Sequence, residues 1–421
     1  MYNILIENIK DKYDYNELIK IFLRPDQYRL FTEDEPESPA GCDDVSIVFN
    51  EQHDFGSKDH IKREIYKGLS QLTGLRPPWG ILTGVRPVKL TGELFEKLGS
   101  EKAVTDKLTG YYLLSEEKAR LLTDVYRYQQ ETCGDPPENS AGLYIGIPFC
   151  PTRCLYCSFT SNQEGPGEIE AYLDALYREI EYAGRAAKDR NMLIESVYVG
   201  GGTPTTLTWQ QLDTLIRRVQ DAFDLSSTKE FTVEAGRPDT ITEDKLAVLM
   251  DRGIDRISIN PQTMKDETLE LIGRSHKADD IRKAFGLAQE TGDFIINADL
   301  IAGLPGEDKE DFESSLREMI GLGPQNITVH TLAVKKASRL IEKAPDYHYD
   351  HGTAVQDMLA AGKEMLSRAG YRPYYLYRQK HMAGALENVG YCKGNTPSVY
   401  NIRIMEEKQD ILALGAGGVS K

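Results

Sequence analysis

The chain is built around Gly146-Ile147-Pro148-Phe149-Cys150-Pro151-Thr152-Arg153-Cys154-Leu155-Tyr156-Cys157. This loop carries three cysteines within eight residues, and it directly follows the apolar run 143–147. Three thiolates on one short loop can each bind one iron of a [4Fe–4S] cube, whereas an electron-transfer cluster usually has four protein ligands. The pattern predicts a cluster bound by Cys150, Cys154 and Cys157, whose fourth iron is open to a small chelating molecule.

Zinc and disulfides are the alternatives for these cysteines. Structural zinc normally takes four ligands, often as two closely spaced pairs. No second pair exists, because Cys42, Cys133 and Cys392 are scattered singly. A disulfide framework is typical of small secreted domains, which this chain does not resemble. Zinc binding, or a chance spacing, remains the alternative to the cluster.

Length and charge limit the class of protein. The chain has 421 residues, enough for two or three domains, and a formal net charge of −16. This charge disfavours sequence-independent binding to nucleic acid, although it leaves room for a local basic pocket. No run of about 18 apolar residues is present, so no membrane span is expected. Because the N-terminus has no cleavable apolar segment, we expect a cytoplasmic protein with reduced thiols.

Residues 1–135 are predicted to form an N-terminal α+β domain of unknown role. Short strands are expected at 2–6 and 46–49, and a helix is expected from the N-cap Ser115 to about residue 130. A further amphipathic helix is indicated by Ile61, Ile65, Leu69 and Leu72. The turn-rich stretch 76–87 contains Arg and Trp, and is either a binding surface or a structural loop.

Residues 136–335 are predicted to form a partial, open (β/α)6 barrel, after a linker at 133–140. Apolar strand-like runs alternate with helical stretches, which is typical of a parallel sheet covered by helices. The predicted strands are 143–147, 196–199, 230–234, 256–260, 295–300 and 326–331. The predicted helices lie near 168–187, 208–223, 243–252, 265–290 and 308–321. In such barrels the chemistry lies beyond the carboxyl ends of the strands.

Polar and glycine-rich motifs follow four of these strands. The second strand runs into Gly200-Gly201-Gly202-Thr203-Pro204-Thr205, where backbone groups can approach a ligand closely. Glu234, Gln262 and Asp299 lie at the next three strand ends, and Gly273-Arg274-Ser275-His276 supplies a cation. A chain turn is the alternative for the glycines, and a solvated or helix-capping side chain is the alternative for each polar residue.

At these residues the chain resembles the oxygen-independent coproporphyrinogen III oxidase (dehydrogenase) family of radical S-adenosylmethionine (SAM) proteins, most of all its HemZ branch. The resemblance extends from about residue 144 to the end of the sequence. Besides the cysteine loop and the glycine turn, it rests on Tyr144-Ile145, Val233-Glu234, Asn260-Pro261-Gln262, Ile272-Gly273-Arg274-Ser275-His276 and the stretch 297–305.

The resemblance implies a [4Fe–4S] cluster on Cys150, Cys154 and Cys157, and one or two bound SAM molecules. It places residues near the cluster and the first SAM: Tyr144, Tyr156, Gly201, Gly202, Thr203, Glu234 and Ala333. It assigns Gln262, Arg274 and Asp299 to a second SAM. The implied reaction is the oxidative decarboxylation of coproporphyrinogen III propionates to vinyl groups, with electrons from a cytoplasmic donor.

Such a substrate carries four carboxylates and requires a basic pocket in an acidic protein. Residues 336–421 would cover it as a C-terminal region. The basic candidates are Lys335, Lys336, Arg339, Arg378, Lys380 and His381. The tyrosines within 374–377 could pack on a tetrapyrrole face. A solvated basic face over a core tyrosine stripe is the alternative.

Three departures from the family pattern bear on function. Gly146 stands where the family commonly has His, and Phe159 stands where the dehydrogenases have a fourth cysteine. Tyr400-Asn401-Ile402-Arg403-Ile404-Met405 stands where the family's haem chaperones have His-Asn-x-x-Tyr-Trp. The Gly-rich end at 414–421 indicates an incomplete C-terminal region.

The sequence is therefore compatible with three functional hypotheses. The first is a tetrapyrrole-decarboxylating radical SAM enzyme, and the second is a haem-binding chaperone without dehydrogenase activity. The third is a radical SAM enzyme acting on RNA, which the acidic balance disfavours.

Overall fold

The computed structural model describes residues 1–6, 12–32, 46–49, 58–158, 162–163, 165–334, 338–340, 352–379 and 382–420. The chain divides into two compact units. The first comprises Met1–Asp124 with Gly384–Leu386, and the second comprises Val125–Ala383 with Glu387–Lys421. The domain boundaries at 135 and 335 stay predictions.

The first unit contains a three-stranded parallel sheet of order β2-β1-β3. Its strands are β1 (Tyr2–Ile6), β2 (Tyr28–Thr32) and β3 (Ser46–Phe49). Its helices are α1 (Tyr13–Ile19), α2 (Lys58–Thr73), α3 (Pro87–Leu98), α4 (Glu101–Gly110) and α5 (Glu116–Thr132), which continues into the second unit. Trp79 is buried in this unit, which favours the structural interpretation of the stretch 76–87.

The second unit contains a nine-stranded sheet of order β10-β11-β9-β8-β7-β6-β5-β4-β12. Its strands are β4 (Ser140–Ile147), β5 (Leu193–Gly201), β6 (Glu230–Glu234), β7 (Arg256–Ser258), β8 (Ile295–Ala302), β9 (Asn326–Thr331), β10 (Tyr371–Tyr377), β11 (Asn388–Lys393) and β12 (Asp410–Gly415). Strands β4 to β9 are parallel in sequence order, which confirms the six predicted strands. Strand β12 extends the parallel part beside β4, and β11 and β10 add antiparallel strands beside β9.

Helices connect the parallel strands as a βαβ pattern requires. They are α6 (Pro166–Asp189), α7 (Trp209–Ala222), α8 (Glu243–Asp251), α9 (Asp266–Leu271), α10 (Ala278–Thr291) and α11 (Lys309–Leu322), with 3₁₀ turns at Pro204–Thr206 and Pro238–Thr240. Outside this pattern, α12 (Gly352–Arg368) lies between β9 and β10, a 3₁₀ turn at Ala383–Ala385 lies between β10 and β11, and α13 (Val399–Glu406) lies between β11 and β12. The single helix predicted at 265–290 is wrong. Gly273 has a φ of +79°, and the residues between α9 and α10 form a loop at the carboxyl edge of the sheet.

A buried ion-pair network cross-links strands at the amino end of the sheet. Arg256 is 2 % exposed and pairs with Glu230 at 3.1 Å. Its guanidinium also donates to the side-chain oxygens of Asn297 and Asn326 at 2.8 and 2.9 Å. The backbone carbonyls of 396–397 accept its remaining hydrogen bonds. Because one cation joins β6, β7, β8, β9 and the segment before α13, it fixes that segment on the sheet.

A second network fixes helix α13 on β5. Arg403 is fully buried and donates to both carboxylate oxygens of Glu195, at 2.9 and 3.0 Å. Glu195 also accepts from Lys229 and Gln409 at 2.8 and 2.7 Å. Burial alone would raise the pKa of Glu195, but these donors lower it.

No helix in the described part of the chain is both long and apolar enough to cross a bilayer.

Candidate functional site

The cysteine loop is held at the carboxyl edge of the sheet by backbone hydrogen bonds at both ends. Near its start, Cys150 N donates to Asn162 O at 3.1 Å, and Asn162 N donates to Pro148 O at 2.8 Å. Near its end, Leu155 N donates to Ile272 O at 2.9 Å. Leu155 also packs with Tyr156 on an apolar cluster around Leu304 and Leu332. The loop is therefore tied to the segments that follow β8, β9 and α9.

The three thiols lie along this loop in different surroundings. Cys154 is buried, whereas Cys150 and Cys157 are partly exposed. The Cys150 sulfur lies 3.4 Å from the Thr203 hydroxyl, at the end of the neighbouring strand β5. Among the described residues, no three His, Cys, Asp or Glu side chains are grouped so that they could hold one metal ion.

The glycine turn after β5 packs directly against the cysteine loop. Gly202 N donates to Ile147 O at 2.8 Å, and Thr203 N donates to Phe149 O at 2.7 Å. A Cβ atom on Gly202 would lie only 2.5 Å from Phe149 O, and Gly201 has a φ of +112°. The glycines are therefore required for close approach to the loop, a packing reason that the sequence pattern does not show.

Glu234 stands at the end of β6 beside a tyrosine that the sequence analysis missed. The hydroxyl of Tyr198, on β5, donates to its carboxylate. Burial raises the pKa of Glu234 to about 7, although the hydrogen bond from Tyr198 opposes the shift, and the nearby Asp299 carboxylate adds to it. Tyr144 lies beside Tyr198 in the register of β4 and β5, with ring centroids 6.3 Å apart. A half-buried acid that titrates near neutral pH thus faces the carboxyl edge.

Gln262, in the segment after β7, lies beside Asp299, which is inside β8 three residues before its end. Gln262 adopts a φ of +70°, unusual for a residue with a side chain, and its backbone N–H donates to Asp299 O at 2.9 Å. The Asp299 carboxylate lies 3.5 Å from His330 Nε2, and His330 Nδ1 lies 3.2 Å from the Tyr377 hydroxyl. His330 sits within β9 and carries no motif, so sequence reasoning missed it.

Arg274 reaches back to the cysteine loop from the loop between α9 and α10. Its Nη2 donates to the Tyr156 hydroxyl at 2.9 Å and its Nη1 donates to Gly236 O at 3.4 Å. Its buried Nε and the buried Asn260 Oδ1 have no hydrogen-bond partner among the described residues. Buried polar groups normally have partners, so this edge suits a ligand with polar groups of its own.

Ala333, assigned to the first SAM, and the predicted substrate residues are only partly brought to this edge. Ala333 forms an isolated bridge with Met382 and is partly exposed. Arg378 is buried, which lowers its pKa to about 10 while the charge of Glu387 opposes the shift. Arg339 is exposed. Outside the described residues lie Phe159, Lys335, Lys336, Lys380 and His381.

Two of the predicted stacking tyrosines belong to the interior instead. Tyr374 and Tyr375 are 0 % and 6 % exposed, and they share an apolar cluster with Tyr128, Cys392 and Ile402. This favours the core-stripe interpretation for these two residues. Tyr377 is less buried and remains at the edge, beside His330.

Comparison with known proteins shows that the chain is similar to radical SAM proteins. The model of the radical SAM superfamily matches residues 144–319. The chain is 40 % identical over 389 residues to the oxygen-independent coproporphyrinogen-III oxidase-like protein HemZ of Bacillus subtilis, covering 88 % of this chain and 78 % of that protein. It is 37 % identical over 193 residues to the haem chaperone HemW of the same organism, covering 46 % of this chain and 50 % of HemW.

A similar fold is seen in the solved structure of coproporphyrinogen III oxidase (HemN) from Escherichia coli, a radical SAM enzyme. The TM-score is 0.55 with 23 % sequence identity, covering 70 % of this chain and 67 % of that one.

Proposed function

The chain belongs to the coproporphyrinogen III oxidase-like family of radical SAM proteins, and from this premise we propose that it decarboxylates the propionates of a porphyrinogen. In this proposal Cys150, Cys154 and Cys157 hold a [4Fe–4S] cluster. When bound, the cluster and SAM supply an electron and a 5′-deoxyadenosyl radical. The protein positions SAM and substrate and excludes water and oxygen.

The carboxyl edge of the sheet carries the groups that would hold SAM. Glu234 can accept hydrogen bonds from ribose hydroxyls, and the turn at Gly201, Gly202 and Thr203 lies against the cysteine loop. Tyr144 and Ala333 would line the same cavity. In this proposal a second SAM would be bound by Gln262 after β7, Asp299 within β8 and Arg274 in the loop between α9 and α10.

The convergence of these groups is the observation that carries the proposal. Arg274 contacts Tyr156 inside the cysteine loop, and Asp299 acts electrostatically on Glu234 across strand ends β6 and β8. Orphaned polar atoms of Arg274 and Asn260 lie buried nearby.

For coproporphyrinogen III, the reaction we propose removes one hydrogen atom from the β-carbon of a propionate. Loss of CO2 and of one electron to a one-electron acceptor then leaves a vinyl group. Two such rounds convert coproporphyrinogen III to protoporphyrinogen IX. The half-buried His330 and Tyr377 border Asp299 and give this edge hydrogen-bonding groups suited to a carboxylate.

A haem-binding chaperone is the second candidate, favoured by the similarity to HemW over 193 residues. Against it, Tyr400 stands where the chaperone motif has His, and Tyr400 is only 5 % exposed. Its ring packs on those of Tyr198 and Tyr144, so this position is part of the interior here.

An anaerobic assay of the reconstituted full chain with SAM and coproporphyrinogen III separates the two candidates. The enzyme proposal predicts decarboxylated product together with 5′-deoxyadenosine, and their loss in the triple variant of Cys150, Cys154 and Cys157 to Ala. Tight haem uptake without turnover would support the chaperone instead.

A further inference from the structure

Arg237 is a buried cation that joins three segments around the cysteine loop. It lies just after β6 and is 3 % exposed. Its Nη1 donates to the Thr152 hydroxyl at 2.7 Å and to Thr152 O at 3.2 Å, and lies 4.0 Å from the Cys154 sulfur. Its Nη2 donates to the Ser275 hydroxyl at 2.7 Å. No motif and no part of the proposed SAM site accounts for this residue.

Asp239 determines which way the guanidinium points. It accepts from Arg237 Nε at 3.1 Å and from Nη2 at 3.2 Å, a two-bond fork that fixes the plane of the group. Ser275 completes the arrangement by donating to Asp239 at 2.7 Å. With Nε and Nη2 held in this way, only Nη1 is left to face the cysteine loop.

The neighbours of Asp239 favour its charged form. Burial alone would raise the pKa of Asp239, but the nearby His276 ring and the hydrogen bonds from Arg237 and Ser275 hold it well below its usual range. His276 Nδ1 lies 3.6 Å from Asp239 Oδ1, beyond a normal hydrogen bond, so Arg237 and Ser275 are its direct partners. The Arg237 guanidinium therefore lies between the Cys154 sulfur and the Asp239 carboxylate, with the cation nearer to the cysteine loop than the anion.

We propose that Arg237 positions the Cys154 segment and that Arg237 and Asp239 together set the reduction potential of the cluster. The inference rests on the proposed [4Fe–4S] cluster but not on the identity of the substrate. Hydrogen bonds to cluster sulfurs and the net charge nearby tune such potentials. A cation beside a ligand sulfur favours the reduced cluster, and an anion disfavours it.

The test is a redox titration, monitored by electron paramagnetic resonance, of the anaerobically reconstituted full chain without substrate. Arg237→Gln removes the cation and leaves Asp239 without a cationic partner. The reduction potential of the cluster should therefore become more negative. Asp239→Asn removes the anion and leaves the cation, so it should become more positive. A tenfold change in the ratio of reduced to oxidised cluster at fixed poise is about 59 mV for one electron, and we expect a shift of that order in each direction.

Two controls isolate the effect. Arg218→Gln removes the same charge from a partly exposed pair with Glu181, between α6 and α7, and should leave the potential unchanged. Thr152→Val removes one hydrogen bond to Arg237 without changing charge, and should shift the potential less than either charge variant.

Opposite shifts in the two charge variants support the proposal, because a purely structural role would not reverse the sign. Unchanged potentials, or shifts in the same direction, would overturn it. If Arg237→Gln fails to retain iron, Asp239→Asn decides alone: a more positive potential supports the proposal, and any other result overturns it. Absence of a cluster in the wild-type chain would instead refute the proposed cofactor.

Discussion

Tyr400 stacks on Tyr198, with ring centroids 4.5 Å apart and planes inclined by 22°. The Tyr198 hydroxyl in turn donates a hydrogen bond to the carboxylate of Glu234. Helix α13 therefore packs, through Tyr400, on the hydrogen-bond partner of a residue of the proposed SAM site. Tyr144 extends the stack, with its ring centroid 6.2 Å from that of Tyr400. The position of the chaperone His is therefore part of the packed interior in this chain.

Replacing Tyr400 should affect stability and not haem affinity. Tyr400→Ala leaves a cavity under Tyr198, and we expect it to lower the free energy of unfolding by roughly 3–5 kcal/mol. Tyr182→Ala, at a tyrosine that is 70 % exposed, should change it by no more than about 0.5 kcal/mol. Denaturant unfolding measures both. Tyr400→Phe keeps the stack, and any haem affinity of the wild-type chain that this variant loses would contradict the interior role.

Glu234 should make stability depend on pH. Because its folded pKa of about 7 exceeds the ordinary 4.5, the folded state retains a proton that the unfolded state releases, and stability falls as pH rises from about 4.5 to 7. Glu234→Gln removes this contribution, which is at most roughly 3 kcal/mol at 1.36 kcal/mol per pKa unit. Unfolding of the SAM-free chain between pH 5 and 8 measures it.

The exposed Glu170 on α6 provides the control for this prediction. Glu170→Gln should keep the wild-type pH dependence. If Glu234→Gln and wild type lose stability in parallel across this range, Glu234 does not hold the proton.

Gly202 should be required for cluster loading. In Gly202→Ala the new methyl group would meet the Phe149 carbonyl oxygen, so the cysteine loop must move. Cluster affinity should fall by roughly 10-fold or more, as for other disrupted supports of metal ligands, and bound iron per chain after reconstitution should be lower than in the wild type. Gly286→Ala, in helix α10, has nothing within 4 Å of the new atom and should load normally. Equal iron content in the two variants would show that the contact is dispensable.

The buried Arg256 should contribute far more to stability than a surface arginine. Arg256→Leu leaves the Glu230 carboxyl group buried without its cationic partner, and should lower the free energy of unfolding by roughly 3–5 kcal/mol. Arg252→Leu breaks a pair with Asp213 that is about one-third exposed, and should cost about 1 kcal/mol or less. Similar losses in both variants would argue against the network as the anchor of the segment before α13.

The parallel core could be predicted because strands buried on both faces appear as short apolar runs. Strands β4 to β9 all coincide with predicted runs, and Glu234 is the last residue of β6 as expected, whereas Asp299 lies inside β8, which continues to Ala302. Local patterns could not show contacts between distant segments. The two hydrogen bonds between Arg237 and Asp239 lie at a turn whose sequence gives no sign of them.

Gly146 illustrates the same limit. Its departure from the family's His has a reason in the fold, because a Cβ atom there would lie 2.2 Å from Ala416 O, beyond the end of β12. The two residues are 270 positions apart in sequence. The tyrosines on β10 were ambiguous for a similar reason, since only the pairing with β11 shows that Tyr374 and Tyr375 face the interior.

The central claim is that three neighbouring thiols hold an iron–sulfur cube with one iron open to SAM. The most direct measurement is iron and sulfide analysis of anaerobically reconstituted protein, with electron paramagnetic resonance of the reduced sample with and without SAM. We predict about four irons and four sulfides per chain, a spectrum that changes when SAM is added, and loss of both on replacing Cys150, Cys154 or Cys157 with Ser. A colourless protein, a lone zinc ion, or a cluster whose spectrum ignores SAM would contradict the account.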